Sequence, residues 1–179
     1  MSNLIERAVR AAKLDVTVYE EVEADKTALG QAMGVVLLSS VAAGIGSVVS
    51  AGATGLFIGA IGALIGWFIW AYLTFIIGTK LLPEPQTDAD IGQLLRTIGF
   101  SSSPGVIQIL GVVPVLGGII FVAASIWMLV AMVIAVRQAL DYSSTLRAVG
   151  VCLIGWIVQA MVIGLFFFLF VGPAMNVNP

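Results

Sequence analysis

The sequence predicts an all-α integral membrane protein: five transmembrane helices with two amphipathic helices on the cytoplasmic side. Three observations predict it. Of the 179 residues, 60% are hydrophobic and only 10% are charged, whereas a soluble domain carries about a quarter charged residues. The charges cluster and leave uncharged runs at 27–79, 97–136 and 148–179, each long enough to supply the ~20 residues that cross a hydrocarbon core of about 30 Å. The runs lack the polar alternation of a barrel, and an open sheet leaves its backbone unsatisfied in lipid, so helices remain.

Residues 1–28 form the first unit, a cytoplasmic amphipathic helix followed by an acidic juxtamembrane segment. Leu4, Ile5, Ala8, Val9 and Ala12 recur at helical spacing opposite Glu6, Arg7, Arg10 and Lys13, and Asn3 with Glu6 makes a capping pair. With no short apolar region early in the chain, the first span is expected to act as its own insertion signal. Glu20, Glu21, Glu23 and Asp25 then precede that span. Four carboxylates beside an anionic leaflet call for a basic neighbour, with Arg96, Arg137, Arg147 or a partner protein as candidates.

The second unit, 29–172, is the five-span domain. Small, polar residues 50–54 split the first run into spans 29–50 and 54–78. Pro104 and Pro114 interrupt the 97–136 run, so one continuous helix there would be strained. It reads as spans 101–115 and 117–137, or as a re-entrant segment and one span. The fifth span is 147–171. Under this division all eight Lys and Arg residues lie on one side, which the positive-inside rule makes cytoplasmic, with the carboxyl terminus outside. Ile91, Leu94, Leu95 and Ile98 form one stripe capped by Asp90 and Gln93. This piece, like the first helix, either lies in the membrane interface or packs on the inner ends of the spans.

Helices in lipid associate through small residues and interhelical hydrogen bonds. Ser40, Gly44, Ser47 and Ala51 in the first span, and Gly55, Gly59, Gly62 and Gly66 in the second, form stripes that should meet across the hairpin. Gln108, Ser125 and Gln159 are the polar residues at depth and are expected to bond between helices. Cys152 reads as a small hydrophobe.

The composition excludes much chemistry. Histidine is absent, which removes the usual haem and zinc ligand sets and any serine–histidine pair. No span contains an internal ionisable group of the kind proton- and sodium-driven transporters need. The net charge of −2 and the lack of a basic stripe argue against nucleic acid. Asp88 and Asp90 could hold a divalent ion near lipid head groups, but Asp90 already serves as a cap. No cofactor and no enzymatic activity are expected.

Three segments carry a resemblance to a known family. They are 19–25 leading into 27–32, Leu95 to Pro104, and Trp127 followed by 137–140 and 144–148. In their order they resemble the Yip family of five-span membrane proteins, named for binding Ypt and Rab GTPases, and especially its bacterial branch. The resemblance spans roughly 15–172. It implies a non-enzymatic membrane scaffold, whose eukaryotic relatives act in vesicle traffic and organelle shape. The Asp-Leu-Tyr-Gly-Pro motif of eukaryotic members is absent, so Rab binding is not implied.

The expected function is therefore an adaptor or membrane-organising subunit in a bacterial inner membrane, as a homo-oligomer or with a membrane protein partner. Tyr19, Glu20, Glu21, Glu23, Asp25 and Arg96 are the candidate partner contacts. The rival is a channel or carrier for a small neutral or apolar solute, lined by Gln108, Ser125 and Gln159. A carboxyl-terminal reporter should be active only on the outer side; activity confined to the cytoplasm would refute the five-span count.

Overall fold

The computed structural model describes residues 3–46, 52–113 and 115–166. Seven α-helices follow one another: α1 Leu4–Ala12, α2 Val16–Ala24, α3 Leu29–Gly46, α4 Gly52–Ile76, α5 Ile91–Ser101, α6 Gly117–Ala139 and α7 Thr145–Phe166. A 3₁₀ turn, Lys26–Ala28, leads into α3; a π turn, Ile77–Leu81, ends α4; and a 3₁₀ helix, Ser103–Val112, follows α5. There is no strand among the described residues. Among the described residues, four helices are long and apolar enough to cross a membrane: Lys26–Gly46, Phe57–Leu81, Gly117–Ala139 and Thr145–Val162.

Caps set the short helices. The Asn3 side chain accepts from Glu6 N at 2.8 Å. Asp15 starts α2 by accepting from Thr17 N at 3.0 Å. Asp90 and Gln93 complete both halves of a capping box on α5, satisfying donors that the first turn cannot use internally. Two helices end on a left-handed residue that is not glycine. Leu14 (φ 62°) and Asp141 (φ 52°) adopt the left-handed region after α1 and α6. There Asp15 N bonds Arg10 O, and Tyr142 N bonds Arg137 O, the six-to-one closure of a Schellman end.

The 97–136 run departs from an ordinary helical hairpin. α5 is buried at every position from Leu94 to Ser101. It is therefore packed inside the bundle, since a helix lying on the interface would keep one face open. Beyond it the chain does not restart as an α-helix but continues as the 3₁₀ helix, with Pro104 in its first turn, where a missing N–H costs nothing.

This segment runs alongside α3 in the same direction. Gly99 sits against Ala32, Gly105 against Ser39, and Gly111 against the backbone of Gly46. Partners recur every six residues on one strand of this pair and every seven on the other. From Gly105 to Gly111 six residues of 3₁₀ helix rise about 12 Å, against about 10.5 Å for the seven α-helical residues from Ser39 to Gly46, so the two small-residue rows stay nearly in register there. The contact is backbone to backbone: a Cβ on Gly46 would lie 2.0 Å from Gln108 O. Ser39 Oγ donates to the Ser102 carbonyl at the break between the two helices, and Ser102 N bonds Gly99 O.

The stripe expected on α4 behaves differently. A methyl group on Gly59, Gly62 or Gly66 would meet no atom within 4 Å, so the close approach expected between α3 and α4 is not made at these positions among the described residues. Ser47 and Ala51 lie outside the described residues, as do the surroundings of Gly55 and the end of the fifth span, 167–171.

Gly99→Val should lower detergent thermal stability by about 1–3 kcal/mol through overpacking against Ala32. Gly62→Ala should change it by less than about 0.5 kcal/mol. Equal effects of the two, read as melting shifts of the purified protein, would contradict this assignment.

Candidate functional site

Every charged residue gathers at one end of the bundle, around α1, α2, the α4–α5 connection and the α6–α7 connection. The acidic stretch is largely helical. Val18, Tyr19 and Val22 of α2 are fully buried, which turns Glu20, Glu21 and Glu23 toward the polar side. Arg7 and Arg10 supply the basic neighbours. Arg7 pairs with Glu21 at 2.9 Å and Asp25 at 2.8 Å; Arg10 pairs with Asp15 at 2.9 Å and Glu21 at 2.7 Å. The polar face of α1 thus neutralises α2. Thr27 and Arg7 together hold Asp25 down to about 2, since hydrogen bonds to the charged form favour it.

Of the other basic candidates, only Arg96 reaches the acidic helix, and it binds backbone. Its Nε donates to Val22 O at 2.9 Å, and its Nη2 donates to Glu23 O, so a cation caps the carbonyl end of α2. Arg137 donates to Tyr142 O and Ser143 O. Arg147 donates to Pro83 O at 2.7 Å and lies 3.4 Å from Glu84. Glu84 accepts from Ser143 N and Oγ at 2.9 and 2.7 Å, which places a carboxylate at the start of α7, where the helix dipole favours it. The Tyr142 hydroxyl sits between the carbonyls of Gly78 and Leu82, at 3.0 and 2.7 Å, groups left over by the π turn.

These contacts divide the candidate partner residues. Tyr19 is fully buried, its hydroxyl donating to Ala11 O at 3.3 Å, and Arg96 is buried beneath α2. Both build the fold, and a partner could not touch them, which corrects the expectation from sequence. Glu21 and Asp25 are engaged by Arg7. Glu20 is exposed and its Oε1 accepts from Gln138 Nε2 at 2.9 Å. Glu23 accepts from Gln93 Nε2 at 3.0 Å. Glu23 is pushed up to about 7, first by burial and then by the charges of Asp141, Glu20 and Asp90, which outweigh Arg96. The like charges on this face come from three elements, α2, the α5 N-cap and the end of α6, so Asp90 and Asp141, with Gln93 beside them, were not legible as its members. Asp88 is exposed beside it. No group of three His, Cys, Asp or Glu residues is placed to hold a metal ion among the described residues.

The second feature lies within the span region. A cleft of about 370 Å³ opens between α3, α4, α6, α7 and the 3₁₀ helix, and both Gln108 and Gln159 line it, with Trp67, Trp70 and Trp156. Ser125 borders an adjoining cavity that shares Ser102, Met128 and Trp156 with the first, and its Oγ donates to Phe121 O in its own helix. The polar residues read from the sequence therefore converge. No residue lining either cavity is charged. The buried guanidinium groups of Arg7 and Arg96 and the Glu84 carboxylate all sit at the charged end instead. Trp67 and Trp70, the two tryptophans of α4, lie one helical turn apart and are the signal that would have marked this cleft.

Compared with known proteins, the chain matches the family model described as the Yip1 domain over residues 18–173. No curated protein and no solved structure matches it.

Because Glu23 titrates near 7 in the fold and near 4.5 when unfolded, its contribution is fully present below about pH 4.5 and is lost as pH rises through 7. The detergent melting temperature should fall between pH 5 and pH 8. Glu23→Gln, which keeps the acceptor for Gln93, should flatten that slope and melt higher than the parent at pH 8. Parallel profiles for the two proteins would contradict the assignment.

Proposed function

The chain belongs to the Yip1 domain family, and on that premise we propose that it is a non-enzymatic adaptor or membrane-organising subunit. Its working surface is the acidic face at the charged end. The observation that carries this reading is the gathering of Glu20, Glu23, Asp90 and Asp141 on one face, where burial first and then the neighbouring charges raise Glu23 to about 7. A fold served only by stability would gain from dispersing such charges, whereas a basic surface of a second protein relieves them on contact.

The membrane domain of this proposal crosses the bilayer five times. The third crossing is the α5–3₁₀ segment, in the same direction as the first. Ten residues of 3₁₀ helix, Ser103–Val112, extend about 20 Å, and the last five residues of α5 add about 7.5 Å, close to a core of about 30 Å. The pairing from Ala32 to Gly46 supports it, because residues 99–111 then share the depth of α3. The charged end faces the cytoplasm in this arrangement, and the protein resides in a bacterial inner membrane.

Crosslinking and purification in mild detergent should recover a homo-oligomer or a stoichiometric protein partner. Glu20→Lys with Asp141→Lys should abolish that recovery without lowering the melting temperature of the isolated chain. A monomeric, partnerless protein, or recovery that is indifferent to the charge reversal, would overturn the proposal.

A further inference from the structure

We propose that α1 lies within the leaflet at the charged end and that the groove on its deep side seats an acyl chain of a bilayer phospholipid. The two ends of α1 sit at similar depth. Leu4 packs against Gly34, about 12 Å from Lys26 along its span at 1.5 Å per residue. Ala12 O accepts from Trp127 Nε1 at 2.7 Å, and Trp127 lies about 15 Å from Arg137 along α6. Lys26 and Arg137 stand at the charged end of these two spans, so α1 runs across them, at a depth where a core of about 30 Å holds acyl chains.

At 3.6 residues per turn α1 has three faces. Leu4, Arg7 and Ala11 turn to the bundle, where Arg7 and Ala11 are buried. Glu6, Arg10 and Lys13 share a second face, from which Arg10 reaches Asp15 and Glu21. Ile5, Val9 and Ala12 share the third, on which Ile5 is 71% and Val9 48% exposed, the division expected of a helix in a membrane interface. Against this third face a groove of about 360 Å³ continues to Leu38, Val106, Ile107 and Trp127. Its two polar side-chain groups are already satisfied: Ser103 Oγ donates to Phe100 O at 2.6 Å, and Trp127 Nε1 is held by Ala12. An occupant with polar groups would bury them unpaired, so the lining selects hydrocarbon. Leu38 and Trp127 belong to spans and are themselves exposed, which makes the groove continuous with the lipid-facing surface and opens it to a chain from an adjacent lipid. The inference rests on neither the adaptor reading nor the side of the membrane that the charged end faces.

The test uses the full chain in phosphatidylcholine nanodiscs, with spin labels placed singly by Ile5→Cys, Val9→Cys, Glu6→Cys or Lys13→Cys in a Cys152→Ala background. Collisions are measured with oxygen, which concentrates in hydrocarbon, and with a neutral nickel chelate, which stays in water. Labels at 5 and 9 should meet oxygen freely and meet the chelate at least tenfold less often than labels at 6 and 13. In discs of phosphatidylcholine brominated midway along one chain, the emission that Trp127→Phe removes should be quenched at least twofold. Ala8→Phe, which places a ring in the groove, should at least halve that quenching, and Ala12→Leu provides the same readout if Ala8→Phe fails to fold. Chelate that reaches 5 and 9 as often as 6 and 13 places α1 in water; shielding of 5 and 9 from both reagents places a protein surface over it; Trp127 emission indifferent to bromine or to the filled groove leaves no chain there. Each of these results overturns the proposal.

Discussion

The backbone contact between α3 and the segment from Gly99 to Gly111 is the constraint on which the rest of the structure depends. In lipid, apolar burial does little to hold helices together, and close packing of small residues takes its place. Here the packing is between unlike helices. The tighter 3₁₀ winding lengthens each residue's rise, so a proline-interrupted stretch too short to cross as an α-helix keeps pace with α3 from Ala32 to Gly46. The Ser39 hydroxyl closes the point where one winding gives way to the other. A side chain at Gly46 or Gly99 would separate the two backbones.

That contact also organises the charged end. By drawing α5 into the bundle it carries Arg96 beneath the last turn of α2, where two carbonyls receive it. α2 is then fixed with Tyr19 and Val22 inward and its acids outward, and α1 folds back so that Arg7 and Arg10 reach Glu21. Trp127 of α6 ties down the far end of α1 by donating to Ala12 O at 2.7 Å. The three segments that carry the family resemblance are thus joined at the charged end: Tyr19 to Asp25 by Arg96, and Glu20 by Gln138.

What the sequence disclosed follows from which forces are local. The apolar helices follow from length and composition; α6, read as 117–137, runs Gly117–Ala139. The caps at Asn3 and Asp90 are patterns of three residues and appear as written. The acidic stretch resisted reading because its buried face, Val18, Tyr19 and Val22, is only one turn long, and because Asp15 reads as one more charge when it is an N-cap. The expected stripes are spaced four, three and four within one hairpin. The close approach among the described residues joins Gly99 and Gly105 to Ala32 and Ser39, with six- and seven-residue periods that no single-helix repeat reveals. The polar residues at depth were identifiable from their rarity, but the meeting of Gln108 and Gln159 in one cleft, with Ser125 on an adjoining cavity, depends on helix order, which composition does not encode.

The most direct test of this account is the side of the membrane on which residue 116 lies, immediately beyond the 3₁₀ helix. In a Cys152→Ala background, Leu116→Cys should react with a membrane-impermeant maleimide in intact cells, while Gln86→Cys should react only after permeabilisation. If Leu116→Cys also requires permeabilisation, the α5–3₁₀ segment returns to the side it left and does not cross alongside α3.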